Sequence, residues 1–248
     1  MPAYRIRALV LRKTKLGETD VILTLLAADG CQVRAVAKGM RKPGSRIGAR
    51  LEPFSVADLL LHTGRSLDVV TEVDSVTTHA ALREDFDRAA AASVVVDLLD
   101  KLSCEGQAEE RLFGLACATL DALEASREES LVTLIVGYLV KAMAMHGLRP
   151  ELDSCASCAC AAGGGHRFSL DAGGVLCPEC GDADTTSLAF DEEGRALLVR
   201  LLGMTMAQIA EAEEDRATVE RCFALMRSFV AYHVPARLKA LEFFAGNR

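Results

Sequence analysis

Cys155 and Cys158 form one Cys-x2-Cys hook and Cys177 and Cys180 a second, with eighteen residues between them. Two such hooks can close four thiolates around one tetrahedral Zn²⁺, whose filled d-shell imposes no geometry of its own. Four thiolates leave no open coordination position, so the expected role of the Zn²⁺ is structural. Redox pairing, another metal and no metal at all are the competing readings. Gly163, Gly164, Gly165, Gly173 and Gly174 let the intervening chain turn, and Phe168, Leu170, Val175 and Leu176 suit a small hairpin. Cys160 is a fifth thiol, out of register with its hook, and His166 could stand in as a ligand but better suits the hairpin surface. Between Cys155 and Cys180 the only Lys or Arg is Arg167, set among Glu151, Asp153, Asp171, Glu179, Asp182 and Asp184. Such a segment is poorly suited to touching nucleic acid itself.

Cations are the other residues with chemistry to offer. The net charge is −7, yet residues 1–80 hold 12 Lys/Arg against 8 Asp/Glu, whereas the remainder holds 16 against 27. Arg34, Lys38, Arg41, Lys42, Arg46 and Arg50 follow one another with no acid between them. Arg12, Lys13 and Lys15 stand just after the first strand-like stretch. On a barrel these groups could converge into one patch that grips phosphates without reading bases. Six neutralised phosphates would give a log–log salt slope of about −5 on duplex and about −4 on single strands. The competing reading is a solvated charged loop. Tyr4 and Phe54 are the only aromatics in residues 1–80, so base stacking contributes little.

The elements that must position these groups change character at His79. Upstream, Tyr4–Leu11, Asp20–Leu26, Cys31–Ala37, Phe54–Leu61 and Ser66–Val73 read as strands punctuated by glycine turns. Five short strands are the size of an oligonucleotide-binding (OB) barrel, with a small open sheet under a helix as the competitor. Downstream, apolar residues recur at helical spacing from Phe86 to Leu102, from Leu112 to Leu123, from Leu131 to Met145 and from Val219 to His233. The expected architecture is multidomain α+β: an OB-fold β-barrel over residues 1–80, then a helical domain over 81–248 with the cysteine segment, 151–184, inserted. Cys104, Cys117 and Cys222 sit among apolar neighbours and read as core thiols. His62, His79, His146, His166 and His233 occur singly, and no catalytic constellation stands out, so an enzyme is not expected. Leu131–Val140, the best apolar run, is far too short to span a membrane. Nine cysteines without an export signal argue for reduced thiols and a cytoplasmic protein.

Several of these stretches together resemble the RecO family of bacterial recombination mediators. The resemblance is carried by Ala8-Leu9-Val10-Leu11-Arg12, Gly17-Glu18-Thr19-Asp20, Ala37-Lys38-Gly39 with Arg41 behind it, and Ser45-Arg46 leading into Leu51-Glu52-Pro53-Phe54. Gly147-Leu148-Arg149-Pro150 ahead of Cys155 and Gly173-Gly174 ahead of Cys177 add to it. It implies an N-terminal OB barrel and a helical C-terminal domain, often with zinc. It further implies binding of single- and double-stranded DNA, annealing of complementary strands, and loading of recombinase onto strands coated by single-strand DNA-binding protein (SSB). It implies that these steps need no nucleotide hydrolysis. The implied partners are RecR, the acidic, apolar-ended C-terminal tail of SSB and in some settings RecF, at the nucleoid. The implied DNA contacts fall on Arg12, Lys13, Lys38, Arg41, Lys42 and Arg46. Arg227 to Lys239 is the candidate stretch for the SSB tail. A structural adaptor with incidental DNA binding and a zinc-ribbon transcription or translation factor are the alternatives.

Overall fold

In a computed structural model, the described residues are 2–42, 45, 48–161 and 167–247. Contacts divide the chain into two compact units: residues 1–124 with 243–248, and residues 125–242.

The first unit opens with five strands: β1 (Ala3–Leu16), β2 (Asp20–Ala27), β3 (Gln32–Ala37), β4 (Val56–His62) and β5 (Asp68–Thr77). They close into a barrel in the order β1-β2-β3-β5-β4, with β3 and β5 parallel and the remaining pairs antiparallel. Closure depends on the length of β1. Its first half pairs with β4 from Ala3 to Leu9, and its second half pairs with β2 from Ala8 to Leu16. A register shift between Val10 and Arg12 bends the strand between these two partners. The sequence reading ends this strand at Leu11, because the alternation breaks at that bend.

Inside the barrel lie Val10, Val21, Leu23, Leu25, Leu51, Leu59, Leu61, Val70 and Val73, with Ala8, Ala35, Ala37 and Ala57 where space is short. Large aliphatics beside alanines fill the narrow interior, with half-buried Tyr4 packed against them. Phe54 is buried at the rim, and the Tyr4 hydroxyl donates to Asp68. Phe54 therefore offers no ring to a base.

Helices α1 (Ala80–Glu84), α2 (Phe86–Leu102) and α3 (Glu110–Ala125) follow. The start of α2 is capped by Asp85, whose carboxylate accepts from the Arg88 amide, and the helix packs on β1 and β2. His79 makes the junction between strand and helix. Its left-handed backbone reverses the chain, and its buried ring bonds the Phe54 carbonyl at 2.8 Å and Asp121 at 2.9 Å. Gly30, at φ +86, lets the β2–β3 turn approach the backbone of Glu109, which an added Cβ would meet at 2.3 Å. Gly30→Ala should therefore cost about 3–5 kcal/mol, combining left-handed strain with overpacking. Urea unfolding of the variant measures it; a loss below 1 kcal/mol would mean that the turn relaxes freely.

The second unit is built around α4 (Leu131–Met145), which is buried on every side from Leu131 to Val140. No described helix is long and apolar enough to cross a membrane. After α4 come β6 (Arg167–Ser169), β7 (Gly174–Leu176), α5 (Pro178–Ala183) and β8 (Leu188–Ala189), followed by α6 (Glu192–Gly203), α7 (Met206–Glu211) and α8 (Arg216–His233); the last helix, α9 (Lys239–Gly246), begins in this unit and ends among the residues counted with the first. Helices α6, α7 and α8 all pack on α4. Gly137 lets α7 come close, since a Cβ there would meet Ile209 at 2.7 Å. β6 and β7 form the expected hairpin with Phe168 opposite Val175, and β8 extends it to a three-stranded sheet.

Cys222 and Cys117 are thiols within packed helices, and burial first of all pushes Cys222 up to about 12 and Cys117 up to about 11. Cys104 departs from the expectation of a core thiol. α2 stops at Leu102, and the exposed Cys104 instead bridges Gln107 in the following turn.

Candidate metal centre and nucleic-acid interface

Each cysteine hook is shaped by its own backbone. In the first, the Ala159 amide donates to the Cys155 carbonyl and the Cys155 amide donates to the Cys160 carbonyl, both at 2.8 Å. A bridge between Ser154 and Ala161 closes that loop. In the second, Cys177 follows β7 and stands at the N-cap of α5, with Pro178 in the first turn, so Cys180 rises on that turn beside it. Residue 151 pairs with the β7 strand, and the Ala156 amide donates to the Val175 carbonyl, which carries the first hook to the second. This pairing needs Gly174, where a Cβ would lie 2.4 Å from the Glu151 carbonyl oxygen.

The four Sγ atoms of Cys155, Cys158, Cys177 and Cys180 come within 4.8 Å of one another. Cys158 and Cys177 stand 3.8 Å apart, which equals the tetrahedral edge of about 3.8 Å set by Zn–S bonds of about 2.3 Å. Burial pushes the Cys155 thiol up, but the amides of Cys177, Cys158 and Ser157 outweigh it and bring it down to about 6. The Cys160 amide leads in lowering Cys158. Cys180 is held down by Ser157, yet its sulfur neighbours Cys177 and Cys158 carry it up to about 12. Amides aimed at sulfur favour thiolates, while four crowded sulfurs cannot all ionise without a cation among them. The donor set therefore fits a soft divalent cation. Gly163, Gly164, Gly165 and His166 lie outside the described residues.

The basic residues divide into two groups. Lys38, Arg41 and Lys42 are exposed on the loop that follows β3, and that loop is tied to the β1–β2 turn. Asp20 accepts from the Gly39 amide at 2.8 Å, the Arg41 amide donates to the Thr19 carbonyl at 2.9 Å, and the Arg41 guanidinium donates to the Glu18 carbonyl at 3.0 Å. The Gly39 amide, then Thr19, then burial in opposition, then Lys38 and Lys42 set the Asp20 carboxyl, with a net shift below its ordinary value. That tie is present at neutral pH and is lost as pH falls through the lowered value.

Arg12 and Lys13 are held elsewhere. Arg12 lies 3.5 Å from Asp100, whose side chain is only 7% exposed, and Lys13 bonds Glu52 at 2.6 Å. Arg46 lies outside the described residues. Sequence reasoning named the cations but not their counter-ions, Asp100 and Glu52, nor Asp20 and Thr19 as anchors. The Gly17-Glu18-Thr19-Asp20 stretch stands out in the sequence, but its docking partner, Gly39, lies 19 residues further along the chain.

In the second unit, Leu188, Ala189, Phe190, Ala224, Leu225 and Ser228 line an open groove of about 480 Å³ between β8 and α8, with Arg221 and Asp191 at its edge. Arg221 pairs with Asp191 at 2.9 Å and Glu193 at 3.1 Å. Within the stretch from Arg227 to Lys239, Arg227 is exposed on α8, and Arg237 is paired with Glu242 at 2.8 Å. His233 packs between the rings of Phe229 and Tyr232.

Known proteins match the chain along almost its whole length. The family described as recombination protein O N terminal matches residues 1–79, and recombination protein O C terminal matches residues 83–242. A DNA repair protein RecO from Rubrobacter xylanophilus is 37% identical over 237 residues, covering 95% of this chain and 94% of the relative. Proteins of the same name from Frankia casuarinae and Thermobifida fusca are 36% identical over 253 residues and 37% over 247, each covering 98% of both chains. With barrel, helices and cysteine cluster all falling inside these matches, the chain belongs to the RecO family.

Proposed function

We propose that this chain is a DNA repair and recombination mediator. It binds single- and double-stranded DNA, anneals complementary strands and helps to load recombinase onto SSB-coated single strands, in the cytoplasm at the nucleoid. The observation that carries this reading is the docking of exposed Lys38, Arg41 and Lys42 on one turn of a barrel in a RecO-family chain. Two strands repel because their phosphates carry like charge. A positive loop that holds backbones screens this repulsion and raises local strand concentration. Contacts to phosphate leave base edges free to pair, as annealing requires. Arg46 belongs to the proposed set by its place in the same basic run, and Arg12 and Lys13 join it only by exchanging their carboxylates for phosphates.

Cys155, Cys158, Cys177 and Cys180 would hold one Zn²⁺, which supplies scaffold and no chemistry. RecR and RecF are proposed partners through the family. The groove beside α8 suits the SSB tail, whose apolar end would meet Leu188, Phe190 and Leu225 while its acids exchange with those on Arg221. Arg221→Ala should weaken an SSB-tail peptide about tenfold in fluorescence anisotropy; unchanged affinity would move the tail to another surface.

The test of the main reading is annealing of complementary oligonucleotides, with DNA affinity measured across salt concentrations. Faster annealing and a negative log–log slope are expected. The pairing of Arg12 and Lys13 with acids favours a second reading, a structural adaptor whose DNA binding is incidental. Indifference to oligonucleotides at physiological salt would select it.

A further inference from the structure

Cys160 is out of register with its hook along the chain, yet its Sγ lies 3.3 Å from that of Cys158 and also contacts Cys177. Its position is held by backbone on both sides. Its carbonyl accepts from the Cys155 amide, and Ala161 bridges Ser154. Ala159 takes the left-handed conformation at φ 59, a conformation costly to a residue with a Cβ. This reversal leaves the two sulfurs that flank it side by side.

The spacing decides how they can serve. Two thiolates on one tetrahedral Zn²⁺ stand about 3.8 Å apart. At 3.3 Å, Cys158 and Cys160 crowd one vertex and do not fill two. Exposure separates them from the rest: Cys155 and Cys177 are buried, whereas Cys158 and Cys160 both face solvent.

We propose that Cys160 is an alternate ligand for a thiophilic divalent cation, able to take the vertex of Cys158. In the exchange, the Cys160 sulfur binds as it releases its proton to water, and the departing Cys158 sulfur takes a proton up. Net charge and ligand number are conserved. The buried pair and Cys180 stay in place, so this solvent-facing vertex is where metal enters and leaves. The proposal rests on the reading of the four cysteines as a metal centre.

Cobalt(II) is the probe, because its charge-transfer absorption grows with each bound thiolate. Cys158→Ala in the full chain should keep the four-thiolate spectrum and bind within about tenfold of the unaltered protein. Cys180→Ala, which leaves no substitute, and the double variant Cys158→Ala/Cys160→Ala should show three-thiolate spectra and lose about a hundredfold or more in competition with a chromophoric chelator. If Cys158→Ala matches Cys180→Ala, the alternate ligand is refuted while the metal centre stands. If the unaltered chain gives no thiolate–cobalt bands, both fall.

Discussion

Removing the metal should unfold the two cysteine hooks while the barrel stays folded. Hydrogen exchange on chelated, metal-free protein should show the amides of Cys155, Ala156 and Val175 exchanging freely, with those of β2 and β4 still protected. The magnitudes decide the outcome. Binding of a structural Zn²⁺ contributes about 10–16 kcal/mol in small zinc peptides, as much as the whole stability of a typical domain. Against it, among the described residues the apolar cluster at the centre consists of Cys155, Leu176 and Cys177 with Ala156 and Cys180 at its edge. Such a cluster cannot offset the conformational entropy of ordering the hooks.

The loss should be uneven. Phe168 on β6 packs edge-to-face against Phe190 and Phe229, each at 5.8 Å between ring centres. That aromatic cluster owes nothing to the metal, so β6 should keep protection longer than the hooks. Cys177→Ala should reproduce the pattern without a chelator. Full protection of the hook amides in protein shown by mass spectrometry to be metal-free would refute the scaffold role.

Changing Lys38, Arg41 and Lys42 together to alanine should reduce the salt slope of DNA binding by about 2 to 3, on a scale of about 0.7–0.9 per phosphate contact. Annealing should slow in proportion. The fold should survive, because all three side chains are exposed and the ties of the loop run mainly through backbone: the amides of Gly39 to Asp20 and of Arg41 to Thr19 remain. Arg12→Ala should behave in the opposite way. It strands the nearly buried Asp100, though Lys101 still bonds that carboxylate at 2.6 Å, so its cost should appear in stability more than in the slope. A triple variant with unchanged slope and annealing rate, and an unaltered melting curve, would remove the loop from the DNA interface.

How much of this was legible beforehand differs by element. The hairpin from Phe168 to Val175 was readable because glycines bracket alternating apolar residues. The far end of β1 was not, because a strand that serves two partners must bend, and the bend breaks the alternation by which strands are recognised. Cys104 was misread because apolar neighbours in sequence say nothing about where a helix stops.

The amino-acid order by itself determined the four-cysteine cluster that could hold a metal and the five-strand, many-helix plan. Both are matters of local spacing: a Cys-x2-Cys hook is one turn of chain, and hydrophobic period follows local backbone geometry. Only the tertiary structure decided which cations remain available. Lys38, Arg41 and Lys42 are gathered by Asp20 and Thr19, whereas Arg12 is claimed by Asp100 and Lys13 by Glu52. A charge acts on whatever lies within a few ångströms, and those neighbours come from residues 19 to 88 positions away, a distance that spacing along the chain does not encode.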